Sequence, residues 1–295
     1  MLRRTFLLAA VSAARRDTGR IDFTENRKPI TSLHYAEKWD KPFLYPLRTA
    51  KGHIVSRGWP VDPRPGEQED HAWHRGIFWG HGDISRHDFW REQGRQKTCI
   101  LLPKSEPELT ATGCAIELDM RTPSGSSIGT VRQTYAFHLS TELTIDAVIA
   151  IHAGKNQPLI FGDTDDGGFA FRLSDEFRQD RGAVLLNSDG LQTTEKIWGK
   201  PARWVDYSAT VNGAPCGVAI FDHPSNLRHP TRWHARGYSL CSANPFGLGS
   251  FTKDKTQDGS YTLEAGKTLQ FRYRVLIHEG MGDRATLDKA WSQFH

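Results

Sequence analysis

The segment Glu142 to Gly154, ELTIDAVIAIHAG, constrains the fold more than any other. Leu143, Ile145, Ala147, Ile149 and Ile151 alternate with Thr144, Asp146, Val148, Ala150 and His152, the period of two that belongs to a half-buried strand. TLQFRYRVLIHEG repeats it near the C-terminus, with Leu269, Phe271, Tyr273, Val275 and Ile277 on one side and Gln270, Arg272 and Arg274 on the other. Further β-rich runs, CAIELDM at 114 to 120 and TVRQTYAFHL at 130 to 139, are divided by turn formers and by no alternating helices. This grammar predicts a mainly β chain folded as an antiparallel β-sandwich. A short C-terminal helix is expected, capped by Asp283 and burying Leu287, Trp291 and Phe294 on one face. Phe43, Tyr45 and Leu47 alternate around Pro46, which predicts an edge strand.

The N-terminus, MLRRTFLLAAVSAARRD, places Arg3 and Arg4 before an apolar run that ends in Ser12, Ala13 and Ala14. It resembles a twin-arginine export signal over residues 1–14, which predicts a periplasmic or otherwise exported protein with one β-sandwich domain over 15–295. The apolar run is too short to span a bilayer, and no later segment is long enough. The formal charge of +4 includes Arg3 and Arg4, leaving +2 without the leader, and the remaining basic residues are scattered. Nucleic acid is therefore not an expected partner. The spacings of Cys99, Cys114, Cys216 and Cys241 match no zinc framework, and buried free thiols are expected.

Chemistry concentrates in two places. Asp70 to Trp90, DHAWHRGIFWGHGDISRHDFW, holds four histidines, three tryptophans and Arg75 in 21 residues. Phe221 to Gly237, FDHPSNLRHPTRWHARG, adds His223, His229 and His234 beside Arg232, Trp233 and Arg236. Pro and Gly interrupt both, so both read as loops, where costly polar and aromatic residues serve function. Imidazoles supply metal ligands or proton carriers, and flat aromatic faces suit a sugar ring. Between them, FGDTDDGGFAFRL carries Asp163, Asp165 and Asp166 on a turn, and TTEKIWGKPARWVDYS carries Trp198, Arg203 and Trp204. Clustered acids on a turn can take a cation, orient a hydroxyl or exchange a proton. Trp90 and Trp291 are expected to serve packing alone.

These stretches together, with KPFLYPLRT, ANPFG and LQFRYRVLIHEG, resemble the PmoA-like family of bacterial proteins, often labelled "methane oxygenase PmoA", in family order over about residues 41 to 279. Ala72 and Trp73 depart from the Pro and His of that pattern. The membrane oxygenase of that name spans the bilayer, whereas this chain offers no span of the roughly 20 apolar residues required. The resemblance implies a setting in sugar catabolism, and the β-rich pattern is similar to galactose-mutarotase-like supersandwiches, which bind sugars in an open cleft.

The expected function is therefore that of a carbohydrate-active enzyme using His/Asp acid-base chemistry in an aromatic-lined cleft, by hydrolysis, elimination or epimerisation. Its catalytic candidates are His74 or His81 with Asp163 or Asp166. Its small-molecule carbohydrate ligand would be held by His71, Trp73, Arg75, Trp198, Arg203 and Trp204 from the first half of the chain's polar segments. His223, His229, Trp233, His234 and Arg236 would complete the set from the second histidine stretch. Two alternatives stand beside it. In one, His71, His74 and His81 meet His223, His229 or His234 around one divalent copper, zinc or iron ion; in the other, the same cleft binds carbohydrate without turnover and no cofactor is used.

Overall fold

The computed structural model describes residues 11–16, 18–93 and 98–294. Two large antiparallel sheets face each other. The first has eight strands, in spatial order Ser12–Arg16, Arg20–Glu25, Lys28–His34, Phe43–Leu44, Ile77–His81, Gly167–Arg172, Leu240–Asn244 and Arg232–Arg236. The second follows Val184–Asn187, Trp204–Val211, Ala214–Asp222, Thr268–Glu279, Leu143–Ala153, Ser127–Leu139, Gly113–Arg121 and Ile100–Pro103, with Glu108–Leu109 also paired to Gly113–Arg121. The two period-two segments of the sequence lie side by side at its centre, Ile145 opposite Val275 and Ile149 opposite Phe271. Their apolar faces form one continuous core with the inner face of the first sheet. Phe169 stacks on Tyr273 at 4.8 Å and Phe23 packs on Phe137 at 4.7 Å, joining the sheets across that core. The chain is thus an antiparallel β-sandwich. Among the described residues no helix is long and apolar enough to cross a membrane. All four cysteines are buried free thiols.

Each outer face carries its own cover. Helix Arg284–Trp291 is capped by Asp283, whose carboxylate accepts from Thr286 N at 3.0 Å, and it lays Leu287 with Phe294 over Trp204, Phe221 and Leu276 of the second sheet. On the first sheet, Phe78, Ala170 and Leu240 point outward and are covered by Phe43, Tyr45 and Trp90, with Trp73 and Tyr238 at the margin.

Three local expectations change. Phe43–Leu44 is an inner strand flanked by Lys28–His34 and Ile77–His81, because Pro46 lies beyond the paired residues. Ile77–His81 and Arg232–Arg236, read as parts of loops, are strands; five residues are too few to show a clear period among histidines and glycines. Ser12 to Ala14, read as the end of a leader, pair with Arg20–Glu25 in an edge strand, while residues 1–10 lie outside the described residues.

A candidate acid-base site on the outer face of the first sheet

The strand pleat sorts the polar residues before any chemistry does. Along Arg232–Arg236, Trp233 and Ala235 enter the core, so His234 and Arg236 face outward. Along Ile77–His81, Ile77 and Trp79 enter the core and His81 follows them. The outward side chains meet the loops in a cavity of about 390 Å³ lined by His71, Trp73, His74, Trp90, Arg91, Asp165, Asp166, His234, Arg236 and Tyr238. A hollow of about 500 Å³ elsewhere, at Ile30, Leu139 and Leu143, has no histidine or carboxylate in its wall.

The floor of the cavity is a column of rings. Tyr238 stacks on His71 at 5.4 Å, His71 on His74 at 5.0 Å, and His74 on Phe78 at 5.7 Å, with interplanar angles of 4°, 7° and 17°. Trp73 meets His71 and His74 edge-on. His71 sits in the left-handed region, φ 40°, and its carbonyl accepts from Arg57 Nη2 at 2.9 Å. The same fully buried guanidinium donates to the carbonyls of Gln68, Asp70 and His74, tying the whole turn to the sheet. Asp70 joins this guanidinium to that of Arg172, whose Nη2 is 2.7 Å from Asp70 Oδ1. The other oxygen, Oδ2, lies 2.9 Å from His71 Nδ1. Burial works against the charge of Asp70, yet Arg172, His71 and Arg57 hold its carboxyl below its ordinary value. It therefore remains an acceptor that fixes the His71 Nδ1–H tautomer, leaving Nε2 as the basic nitrogen.

The same cavity wall holds two aspartates, Asp165 and Asp166. Burial raises the Asp166 carboxyl, opposed by Arg91, with which it pairs; Asp165 and Asp88 raise it further. Asp166 is thus a cavity carboxyl that its surroundings shift toward the protonated form. His234 is fixed as a neutral ring: Nδ1 donates to Asp165 O at 2.7 Å and Nε2 accepts from Arg236 Nε at 2.6 Å. Burial and Arg236 push its pKa down to about 4. His74 is buried, with neither ring nitrogen hydrogen-bonded, and burial, then Arg172, hold it well below its ordinary value.

The structure thus unites His71, Trp73, His74, Asp166, His234 and Arg236, and it separates the other candidates. His81 lies against Phe161 and Phe246 with Nε2 on Gly162 O at 2.9 Å, because the pleat turns it inward. A Cβ on Gly167 would stand 2.1 Å from its Nδ1, which is why the DDGG turn needs glycine there. Asp163 accepts from Gly249 N, Ser250 N and Gly259 N at 2.6, 2.9 and 2.6 Å, and so anchors a neighbouring turn. We expect Asp163→Ala to lose about 1–3 kcal/mol of stability while leaving ligand affinity at the cavity unchanged, as a urea titration beside a binding isotherm would show.

Arg75 is buried in a pair with Glu92 and stacks on Trp39 and Phe43. Trp233 is a core residue whose Nε1 donates to Ala202 O. Arg203 and Trp204 both donate to Asp288 of the C-terminal helix. Trp198 packs on Phe251 and supports Arg236 from 5.5 Å without lining the cavity. His223 and His229 fall on the crossover from Asp222 to Arg232, beside that helix: His229 pairs with buried Asp222 at 2.7 Å and stacks on Trp291, and His223 meets Phe294. Of the six candidate metal-binding histidines, His71, His74 and His234 line the cavity while His81, His223 and His229 lie elsewhere, and among the described residues no three His, Cys, Asp or Glu side chains converge as a ligand set. Trp90, expected only to pack, also lines the cavity.

Arg57, Asp70, Arg91, Arg172 and Tyr238 were not among the sequence candidates. Only the density of charge around Asp70 hinted at them, since Asp70 and Arg172 are 102 residues apart.

No curated protein matches the chain in sequence. Among solved structures it is similar to a galactose mutarotase related enzyme from Lactobacillus acidophilus, at 8% identity and a TM-score of 0.40, covering 92% of this chain and 99% of that one. It is also similar to a candidate aldose 1-epimerase from Escherichia coli K12, at 12% identity and a TM-score of 0.37, covering 91% of this chain and 99% of that one. In sequence, residues 20–292 match a family of unknown function, DUF6807, and the chain belongs to that family.

Proposed function

We propose that the cavity binds a sugar and transfers protons on it, with His71 as the base, oriented by Asp70, and Asp166 as the acid. The observation that carries this reading is the presence in one cavity, walled by Trp73, Trp90 and Tyr238, of an imidazole held at Nδ1 by Asp70 and of a carboxyl raised by burial. An oriented imidazole beside a carboxyl shifted toward its protonated form supplies the base and the acid that proton transfer requires. A cavity of about 390 Å³ is of the size that holds a small molecule, and its aromatic faces beside hydrogen-bonding groups match a hydroxylated ring. The resemblance to PmoA-like proteins supports the same class of substrate. Export by the twin-arginine leader is part of this proposal and would place the activity outside the cytoplasm.

A panel of aldoses and their oxidised forms, followed by proton NMR in deuterated buffer, tests it. The wild type should catalyse proton exchange or bond change on one of them. His71→Ala and Asp166→Asn should each lower the rate by about 10²–10⁴-fold while binding persists. Rates within twofold of wild type in both variants would remove the assignment.

A further inference from the structure

The charges beneath the cavity are unequally shared. Asp70 is a single carboxylate serving two fully buried guanidinium groups, Arg57 and Arg172, and Glu92 is a single carboxylate serving buried Arg75 and Lys41. At the rim the signs come closer to balance, with Arg91 beside Asp88 and Asp166 and Arg236 beside Asp165. Over these pairs six cations face five carboxylates. Protonation of Asp166 would widen the excess.

Two further observations point the same way. His74 lines the cavity at 2% exposure with both nitrogens unpartnered, and Arg172, stacked 4.7 Å over Tyr238, leaves Nε and Nη1 unpartnered. Buried polar groups without partners are costly, and a ligand arriving at His74, which lines the cavity, would relieve that ring. At the rim, Arg236 spends its Nε on His234 but holds Asp165 only loosely, at 3.4 Å, and keeps 37% of its side chain exposed. Its fork can receive a planar two-oxygen group in bidentate fashion.

We propose that the ligand of this cavity is an anionic sugar, a monosaccharide bearing a carboxylate that the Arg236 guanidinium receives above a positively charged floor. This rests on the sugar reading above and narrows it to sugar acids.

Calorimetric titration of the full chain with glucuronate, galacturonate and gluconate, each beside glucose or galactose, tests the narrowing. At least one acid should bind about tenfold or more tighter than its neutral counterpart, the gain of a charge-assisted pair. Arg236→Gln should abolish that preference, and Arg236→Lys should restore part of it. Equal affinity for acid and neutral sugars would overturn the anionic inference and leave the sugar reading standing. Acetate or inorganic phosphate competing as well as the sugar acid would overturn it in favour of a simple anion site. Binding of no sugar, charged or neutral, would defeat both. The wild-type comparison needs no variant, so a folding defect in Arg236→Gln cannot mask the outcome.

Discussion

Asp70→Ala is expected to lower stability by about 3–5 kcal/mol, the cost of leaving buried charge without its counter-ion. Arg57 and Arg172 have fully buried side chains, and Asp70 Oδ1 is the carboxylate oxygen both of them meet. Arg57 also holds the carbonyls of Gln68, His71 and His74, so its displacement would release the turn that carries two cavity histidines. A domain has only about 5–15 kcal/mol in all, which makes this loss a large share. Urea unfolding of Asp70→Ala beside wild type checks it, with Asp70→Asn as the variant that keeps shape but not charge. A loss below about 1 kcal/mol in both would show that the two guanidinium groups find other partners.

Acid should unfold the protein well before its carboxylates are all protonated. His34, His81 and His234 are buried, and burial depresses each pKa from 6.5 to about 4. In the unfolded chain these rings take up protons as the pH falls below 6.5, while in the folded protein they stay neutral until about 4. The unfolded state therefore binds more protons across that window, and stability falls with pH by up to about 1.4 kcal/mol per pH unit for each ring. Over the window each ring contributes roughly 3 kcal/mol, enough in sum to approach the whole stability of a domain. His278 acts in the opposite sense: burial lowers its pKa, but the bond to Asp206 at 3.0 Å outweighs this and raises it. Its stabilisation is present below the unfolded value and fades as the pH rises through the folded one. Urea midpoints from pH 7.5 down to 4.5 should drop steeply below about 6.5, and His34→Gln should make the drop shallower by one ring's share. A flat profile over that range would contradict the burial of these histidines as neutral rings.

How much of this was legible in the sequence depended on whether the signal was local. Leu143 to Ile151 and Leu269 to Ile277 each show a strand within one segment, and they are neighbours at the centre of the second sheet. The cap of the last helix at Asp283 was visible for the same reason. In the site, the histidine stretch announced His71, Trp73 and His74, but the pleat of a five-residue strand, hidden by its glycine and histidine neighbours, turned His81 away. The second stretch was divided by a crossover between sheets, which sent His229 to the C-terminal helix and His234 to the cavity. Arg57, Arg172 and Tyr238 gain their roles only by meeting Asp70 and His71 in space, and no spacing within one segment encodes that.

The most direct test of the central claim is diffraction from crystals grown with the tightest-binding sugar of the panel. The account predicts the ring between Trp73 and Tyr238, within hydrogen-bond reach of His71 Nε2 and of the Asp166 carboxyl. A sugar bound on another face, or in this cavity with both groups out of reach of every exchangeable position, would contradict it.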